Sequence, residues 1–172
     1  GLREVLVERY RTRHGLNVTG DQFVFTPGIV ATLNLITRTF HHPGEGVLVQ
    51  TPIYPPFLTA PKNGGKQLQT AEMAVTVEGQ RLRYEIDFDR FEAAITPETR
   101  MFILCNPYNP VGRVYTRTEL EKLAEICLRH NLLVIADEIH CDLLHPGAEH
   151  ISFASLSPEV AAAGASDPTA AR

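Results

Sequence analysis

Two short, wholly apolar runs separated by a capped helix restrict the fold more than any other feature of this sequence. Met101-Phe102-Ile103-Leu104-Cys105 and Leu132-Leu133-Val134-Ile135-Ala136 carry no charged residue. A strand with one face in water alternates apolar and polar residues. A run that is apolar at every position suits a strand covered on both faces, as in a parallel sheet. Between the runs, Thr116-Arg117-Thr118-Glu119 reads as a capping box. It opens a helix whose predicted buried stripe is Leu120, Leu123, Ala124, Cys127 and Leu128. Parallel neighbours need such a crossover, because a tight turn cannot join them.

The alternation extends upstream. Residues 2–14 predict an amphipathic helix with Leu2, Val5, Leu6 and Tyr10 on one face and Gly15 as its stop. Gln22 to Phe25 predicts a short strand running into Thr26-Pro27-Gly28, where a second helix opens with Ile29, Leu33, Ile36 and Phe40 buried. Val47 to Gln50 predicts a strand, Pro55 starts a short helix closed by Asn63-Gly64-Gly65, and Lys66 to Glu72 predicts another strand. Residues 74–86 turn back around Glu78-Gly79-Gln80 as a hairpin or extended loop. Asp87 caps a helix carrying Phe88, Phe91 and Ile95. The expected fold class is therefore α/β, a mostly parallel sheet with helices on both faces. There is no internal repeat.

At 172 residues the chain is long enough for one domain with a core. Its net charge of −4 gives no electrostatic reason to expect nucleic acid or an anionic membrane as a partner. No apolar run approaches the roughly 18 residues of a membrane span, and the start does not read as a signal peptide. The chain begins at Gly1 directly in a helical pattern, which suits a segment without its true beginning. Cys105, Cys127 and Cys141 are odd in number and form no CxxC, so a reducing, cytoplasmic location is expected. Residues 161–172 contain no large apolar side chain and read as a low-complexity, disordered tail, leaving residues 1–160 as the domain.

In sheets of this class, ligands bind beyond the carboxyl ends of the strands. Each such end carries an unusual residue, and each has two readings. Pro27-Gly28-Ile29 is either a plain strand-to-helix turn or an anion site at a helix start, with Gly28 allowing close approach. Tyr54, after Thr51-Pro52, is either a core or rim aromatic or a platform for a flat ring. Asn109 is either a turn residue or an amide presented rigidly between Pro107 and Pro110. Asp137 is either a helix cap or internal ion-pair partner, or a buried carboxylate awaiting a cation.

Taken together these residues resemble one family. Cys105-Asn106-Pro107-Tyr108-Asn109-Pro110-Val111-Gly112, followed by a helix and by Val134-Ile135-Ala136-Asp137-Glu138-Ile139-His140, is similar to the fold-type-I pyridoxal-phosphate enzymes of the aminotransferase class I/II group. Asp137-Glu138-Ile139-His140 with His150-Ile151-Ser152-Phe153 most resembles the cystathionine β-lyase (C–S lyase) branch. The resemblance covers about residues 1–160 and implies pyridoxal 5'-phosphate as cofactor, a small amino-acid substrate and a homodimer for the complete enzyme. It implies that Asp137 pairs with the pyridine nitrogen, Asn109 bonds the ring's phenolic oxygen, and Tyr54 stacks on the ring. The amides of Gly28 and Ile29 would hold the phosphate. His140 stands where many aminotransferases have a tyrosine that reaches the phenolic oxygen.

Such enzymes attach the cofactor to a lysine downstream of the aspartate, in a Ser-x-x-Lys-type loop. Here that window is the Ala-rich tail, and the only lysines are Lys62, Lys66 and Lys122, none in the motif. The expectation is a truncated or frame-shifted form, inactive as written. The resemblance otherwise implies β-elimination from a sulfur-bearing amino acid to thiol, pyruvate and ammonia. An aminotransferase and a non-catalytic remnant are the alternatives. A metal module built from His140, Cys141, His145 and His150 fits no standard spacing. A dinucleotide or P-loop fingerprint is absent.

Overall fold

The computed structural model describes residues 1–40 and 42–156. Helix α1 (Leu2–His14) is followed by a 3-10 turn (Gly20–Gln22) and by α2 (Ile29–Thr39), β1 (Gly46–Thr51) and α3 (Pro56–Asn63). Then come β2 (Gln67–Glu72), the hairpin strands β3 (Ala74–Glu78) and β4 (Arg81–Glu85), α4 (Phe88–Ala93), β5 (Thr99–Cys105), α5 (Arg117–Arg129) and β6 (Leu133–Asp137). The strands outside the hairpin form one parallel sheet in the order β2-β1-β5-β6. This is the expected α/β architecture.

The apolar runs build the core. Leu48 pairs with Phe102 and Ile103 with Ile135, and Leu48, Val49, Phe102, Ile103 and Leu104 are buried. Burying each such side chain contributes roughly 1.5–3 kcal/mol relative to leaving it in water. Phe91 of α4 packs edge-on against Phe102, centroids 4.8 Å apart. The capping box forms: Glu119 N–H donates to Thr116 Oγ1, and Thr116 N–H donates to the Glu119 carboxylate at 2.8 Å. Helices α2 and α3 approach closely at Gly64, where a Cβ would lie 2.5 Å from the Thr37 carbonyl oxygen, so no larger residue fits there.

Several expectations are corrected. Gln22 to Phe25 is no strand. Gln22 is consumed by a local cap in which its Oε1 accepts from Thr19 N–H, and Val24 and Phe25 are exposed beyond it, with no strand beside them. Helix α1 buries none of its residues. Its contacts are polar and aromatic instead: Arg9 and Arg13 pair with Asp142, and Tyr10 packs on Phe23 and His14. In α5 the stripe is shifted towards Ile126, which is buried, while Leu128 on its other flank is exposed. Phe40 lies just past the end of α2 in extended backbone and is exposed. Strand β6 is only half-buried because, among the described residues, it pairs with β5 alone. The tail at residues 161–172 lies outside the described residues.

The strand order places the site. From β1 the chain steps outward to β2, then returns across β1 to add β5 and β6 on the other side. The direction of winding therefore reverses between β1 and β5. At such a switch point the loops leave in opposite directions and open a crevice at the carboxyl edge.

Candidate functional site

Three strand ends meet at this crevice. Beyond β1, Ile53 is buried and anchors the turn, which leaves Tyr54 43% exposed. Tyr54 N–H donates to the Asn109 carbonyl at 3.2 Å, joining the β1 and β5 loops directly across the switch point. Beyond β5, Asn106 is fully buried; its Oδ1 accepts from Tyr115 N–H at 3.0 Å and its N–H donates to the Asp137 carbonyl. Beyond β6, Asp137 pairs in register with Cys105.

Asp137 is the electrostatic anomaly. It is 7% exposed, and its carboxylate accepts from a single donor, Ile139 N–H at 3.0 Å. Among the described residues no lysine or arginine pairs with it. Burial therefore raises its pKa above the ordinary carboxylate value, and the Ile139 N–H and nearby His140 offset only part of that rise. A buried charge without a partner costs several kcal/mol unless it is neutralised or compensated.

Asp137 lines a cavity of about 340 Å³ together with Ile29, Tyr54, Cys105, Asn109 and His140. The structure thus brings together, from four separate chain segments, five of the six residues singled out by sequence. The sixth, Gly28, immediately precedes Ile29 and is the N-cap of α2. Its φ of 144° is a conformation that favours glycine, and nothing lies within 4 Å of where a Cβ would stand. The first intrahelical bond is Thr32 N–H to the Gly28 carbonyl, so the amides of residues 29–31 have no acceptor within the helix. No acidic residue occupies the first turn. Free amides at a helix start favour a negative group.

None of the three lysines lines the cavity. Lys62 is in the last turn of α3. Lys66 sits at the opposite, amino-terminal edge of the sheet, where its Nζ donates to the His42 carbonyl at 2.6 Å. Lys122 on α5 lies over the Phe88 ring, 4.2 Å from its centroid.

Other parts of the neighbourhood escaped the sequence reading. A larger cavity of about 600 Å³ adjoins the first, sharing Asn109 and His140 in its lining. Beside the Asn109 loop lies a buried polar cluster: Tyr115 OH donates to Gln50 Oε1 at 3.0 Å, and the Tyr108 ring lies tilted beside Tyr115, its own hydroxyl without a partner among the described residues. Gln50, a polar residue ending an apolar run, was the available signal for it. Glu138 binds Phe153 N–H at 2.7 Å, and its other oxygen lies 3.3 Å from His150 Nε2, without hydrogen-bond alignment. His150 in turn packs edge-on against His14. Among the described residues no three histidine, cysteine or acidic side chains converge to hold a metal, and no helix is long and apolar enough to cross a membrane.

Comparison with known proteins places this arrangement. Residues 1–166 match the family model "Aminotransferase class I and II". The chain is 40% identical over 152 residues to the cystathionine beta-lyase PatB of Bacillus subtilis, covering 88% of this chain and 38% of that protein. It is 32% identical over 162 residues to the aspartate aminotransferase of Geobacillus stearothermophilus, covering 94% of this chain and 40% of that one. Its fold superimposes on cystalysin from Treponema denticola, a structure containing pyridoxal 5'-phosphate, with a TM-score of 0.86 and 34% identity. That match covers 92% of this chain and 40% of cystalysin. The chain thus spans about two fifths of the length of these relatives.

Proposed function

The chain belongs to the class I and II aminotransferase family, and on that footing we propose that it supplies part of the pyridoxal 5'-phosphate pocket of a carbon–sulfur β-lyase. The observation that carries the cofactor reading is Asp137, a buried carboxylate that lines a cavity and pairs with no lysine or arginine among the described residues. A protonated pyridine nitrogen is the partner it lacks. When bound, the cofactor supplies an electron sink that stabilises negative charge developing at the substrate's α-carbon.

The residues present fit that group. Asp137 holds the ring nitrogen in its charged state. Asn109 would donate its side-chain amide to the phenolic oxygen, and His140 would reach the same edge. Tyr54 stacks on the ring. The amides of Gly28 and Ile29 receive the phosphate, aided by the dipole of α2. None of Lys62, Lys66 and Lys122 lines the cavity, so these residues would hold the cofactor without a covalent bond.

The lyase reading, elimination from a sulfur-bearing amino acid to thiol, pyruvate and ammonia, is supported by the Asp137-Glu138-Ile139-His140 and His150-Ile151-Ser152-Phe153 patterns and by the likeness to PatB and cystalysin. An aminotransferase is the second reading, favoured by the match to the Geobacillus enzyme over a slightly longer stretch. The complete enzyme is expected to be a homodimer. The three unbonded thiols suit the cytoplasm.

Titration of the purified chain with pyridoxal 5'-phosphate, followed by absorbance and then by borohydride reduction and peptide mapping, tests this reading. Saturable binding that Asp137→Ala abolishes, with no site-specific adduct, is the expected result. Absence of saturable binding would overturn the pocket assignment. A stoichiometric adduct on Lys62, Lys66 or Lys122 would overturn the non-covalent reading alone.

A further inference from the structure

The loop that carries Asn109 is closed on itself and then clamped from outside, and one side chain does the clamping. Tyr108 N–H donates to the Arg113 carbonyl at 2.8 Å, and Gly112 N–H donates to the Tyr108 carbonyl at 2.7 Å, so residues 108–113 form a tight closed turn. From the base of that turn the Arg113 guanidinium leaves in three directions. Its Nη2 donates to both oxygens of Glu119, at 2.6 and 2.7 Å, at the amino end of α5. Its Nη1 donates to the Tyr84 carbonyl of β4 at 2.7 Å. Its flat face lies over the Tyr115 ring, 5.0 Å from the centroid. Both charged side chains are largely covered, Arg113 at 23% and Glu119 at 19% exposure.

These contacts tie the base of the loop to three elements: the amino end of α5, the β3–β4 hairpin and the Tyr115 ring. The planar fork of arginine is the only side chain that can serve a carboxylate bidentately, reach a backbone carbonyl and stack on a ring at once. The Asn109 backbone is itself held at two points, its carbonyl by Tyr54 N–H and its N–H by the buried Cys105 thiol. The base of the turn is a further restraint on the backbone from which its side-chain amide projects.

We propose that Arg113 is the positioning residue of the ring pocket: by clamping the 108–113 turn to α5 and the hairpin, it fixes the direction in which Asn109 presents its amide. The proposal rests on the cofactor reading for what Asn109 binds, but not for the clamp itself. It also gives the hairpin a role, as a strut for the pocket.

The clamp and its consequence are read separately. Hydrogen exchange on Arg113→Gln compares the Tyr108 and Gly112 amides with those of Leu123 and Ala124 in α5. The expected result is exchange at least about tenfold faster in the turn, with α5 unchanged. Equilibrium binding of pyridoxal 5'-phosphate is then measured for Arg113→Gln, Asn109→Ala and the double variant. The expected loss for Arg113→Gln is about fivefold or more in the wild-type background, shrinking towards none when Asn109 is already alanine. Arg113→Lys keeps the charge but not the fork, and it does not rescue. If Arg113→Gln folds poorly because Glu119 is left unpaired, Arg113→Gln with Glu119→Gln removes that charge and permits the same measurements. An unchanged turn in the exchange experiment overturns the clamp. A loosened turn with the same binding loss in both backgrounds overturns action through Asn109. A wild-type chain that binds no cofactor overturns the pocket reading instead, while exchange still decides the clamp.

Discussion

Two tyrosines in the cluster beside the Asn109 loop, Tyr108 and Tyr115, should respond oppositely to loss of a single oxygen. Their ring centroids lie 5.6 Å apart and both are 2% exposed or less. The Tyr115 hydroxyl donates to Gln50 Oε1, whereas the Tyr108 hydroxyl has no partner among the described residues. Tyr115→Phe strands a buried amide oxygen, which costs about 1–3 kcal/mol. Tyr108→Phe removes a buried hydroxyl that satisfies nothing, and relief of its desolvation stabilises by about 1 kcal/mol. With a urea dependence of about 2 kcal/mol per molar for a chain of this size, Tyr115→Phe lowers the midpoint by about 0.5–1.5 M and Tyr108→Phe raises it by about 0.5 M. Replacing Gln50 by Leu in the Tyr115→Phe background removes the stranded acceptor and recovers most of the loss. Burial holds both phenols well above their ordinary pKa, so the contrast is the same at pH 6 and pH 9. Urea unfolding followed by circular dichroism measures all four proteins. If Tyr108→Phe costs as much as Tyr115→Phe, or Gln50→Leu recovers nothing, the assignment of partners in this cluster is wrong.

Asp137→Asn should make the cofactor-free chain more stable at pH 7, on the order of 1 kcal/mol or about 2–4 °C for a chain of this size. The sign follows from the raised pKa of Asp137. The folded state prefers the protonated acid, so wild type and variant are alike below pH 3.8, and wild type loses stability as pH rises through the raised value. Thermal melts across that range check it, and pyridoxal 5'-phosphate should raise the melting temperature of wild type only. Thr116→Ala removes the α5 cap and should cost about 1 kcal/mol, read as a lower urea midpoint with unchanged slope. Burial raises the Cys105 thiol to about 11 and the Cys127 thiol to about 12, whereas Cys141 is partly exposed. Iodoacetamide at pH 8 should therefore label Cys141 first in the native chain and all three cysteines in urea; rapid native labelling of Cys105 or Cys127 would contradict their burial.

Local signals in the sequence carried most of the fold. The uninterrupted apolar runs at Met101 and Leu132, the capping box at Thr116 and the turn at Gly79 each act within a few residues, and each element formed as expected. The failures share a cause. Whether Gln22 to Phe25 became a strand depended on a neighbour for it to pair with, and whether the α1 face was buried depended on what lay beside it; neither is written in the segment itself. The same division holds at the site. Tyr54, Asn109 and Asp137 were legible as candidates because strand ends in a parallel sheet converge, whereas His140 was named only through the family resemblance. Arg113 was not, because its partners Tyr84 and Glu119 are brought to it by the hairpin and by α5.

How the fold treats its covered carboxylates is itself informative. Glu119 receives a bidentate arginine and a backbone amide, and Glu138 receives the Phe153 amide with an imidazole beside it. Glu119 is satisfied from within the chain, as buried charges in stable structures are, whereas Glu138 has one hydrogen bond and an unaligned imidazole beside it. Asp137, adjacent to Glu138 and less exposed, receives one amide and no cation. The chain can evidently surround a carboxylate with donors a few ångströms away, so the deficit at Asp137 is local to the cavity it lines. On the proposed reading the ligand here is positive at one end, for Asp137, and anionic at the other, for the first amides of α2. A protonated pyridine ring bearing a phosphate has that polarity, whereas a simple anion or a lone metal cation would satisfy only one end.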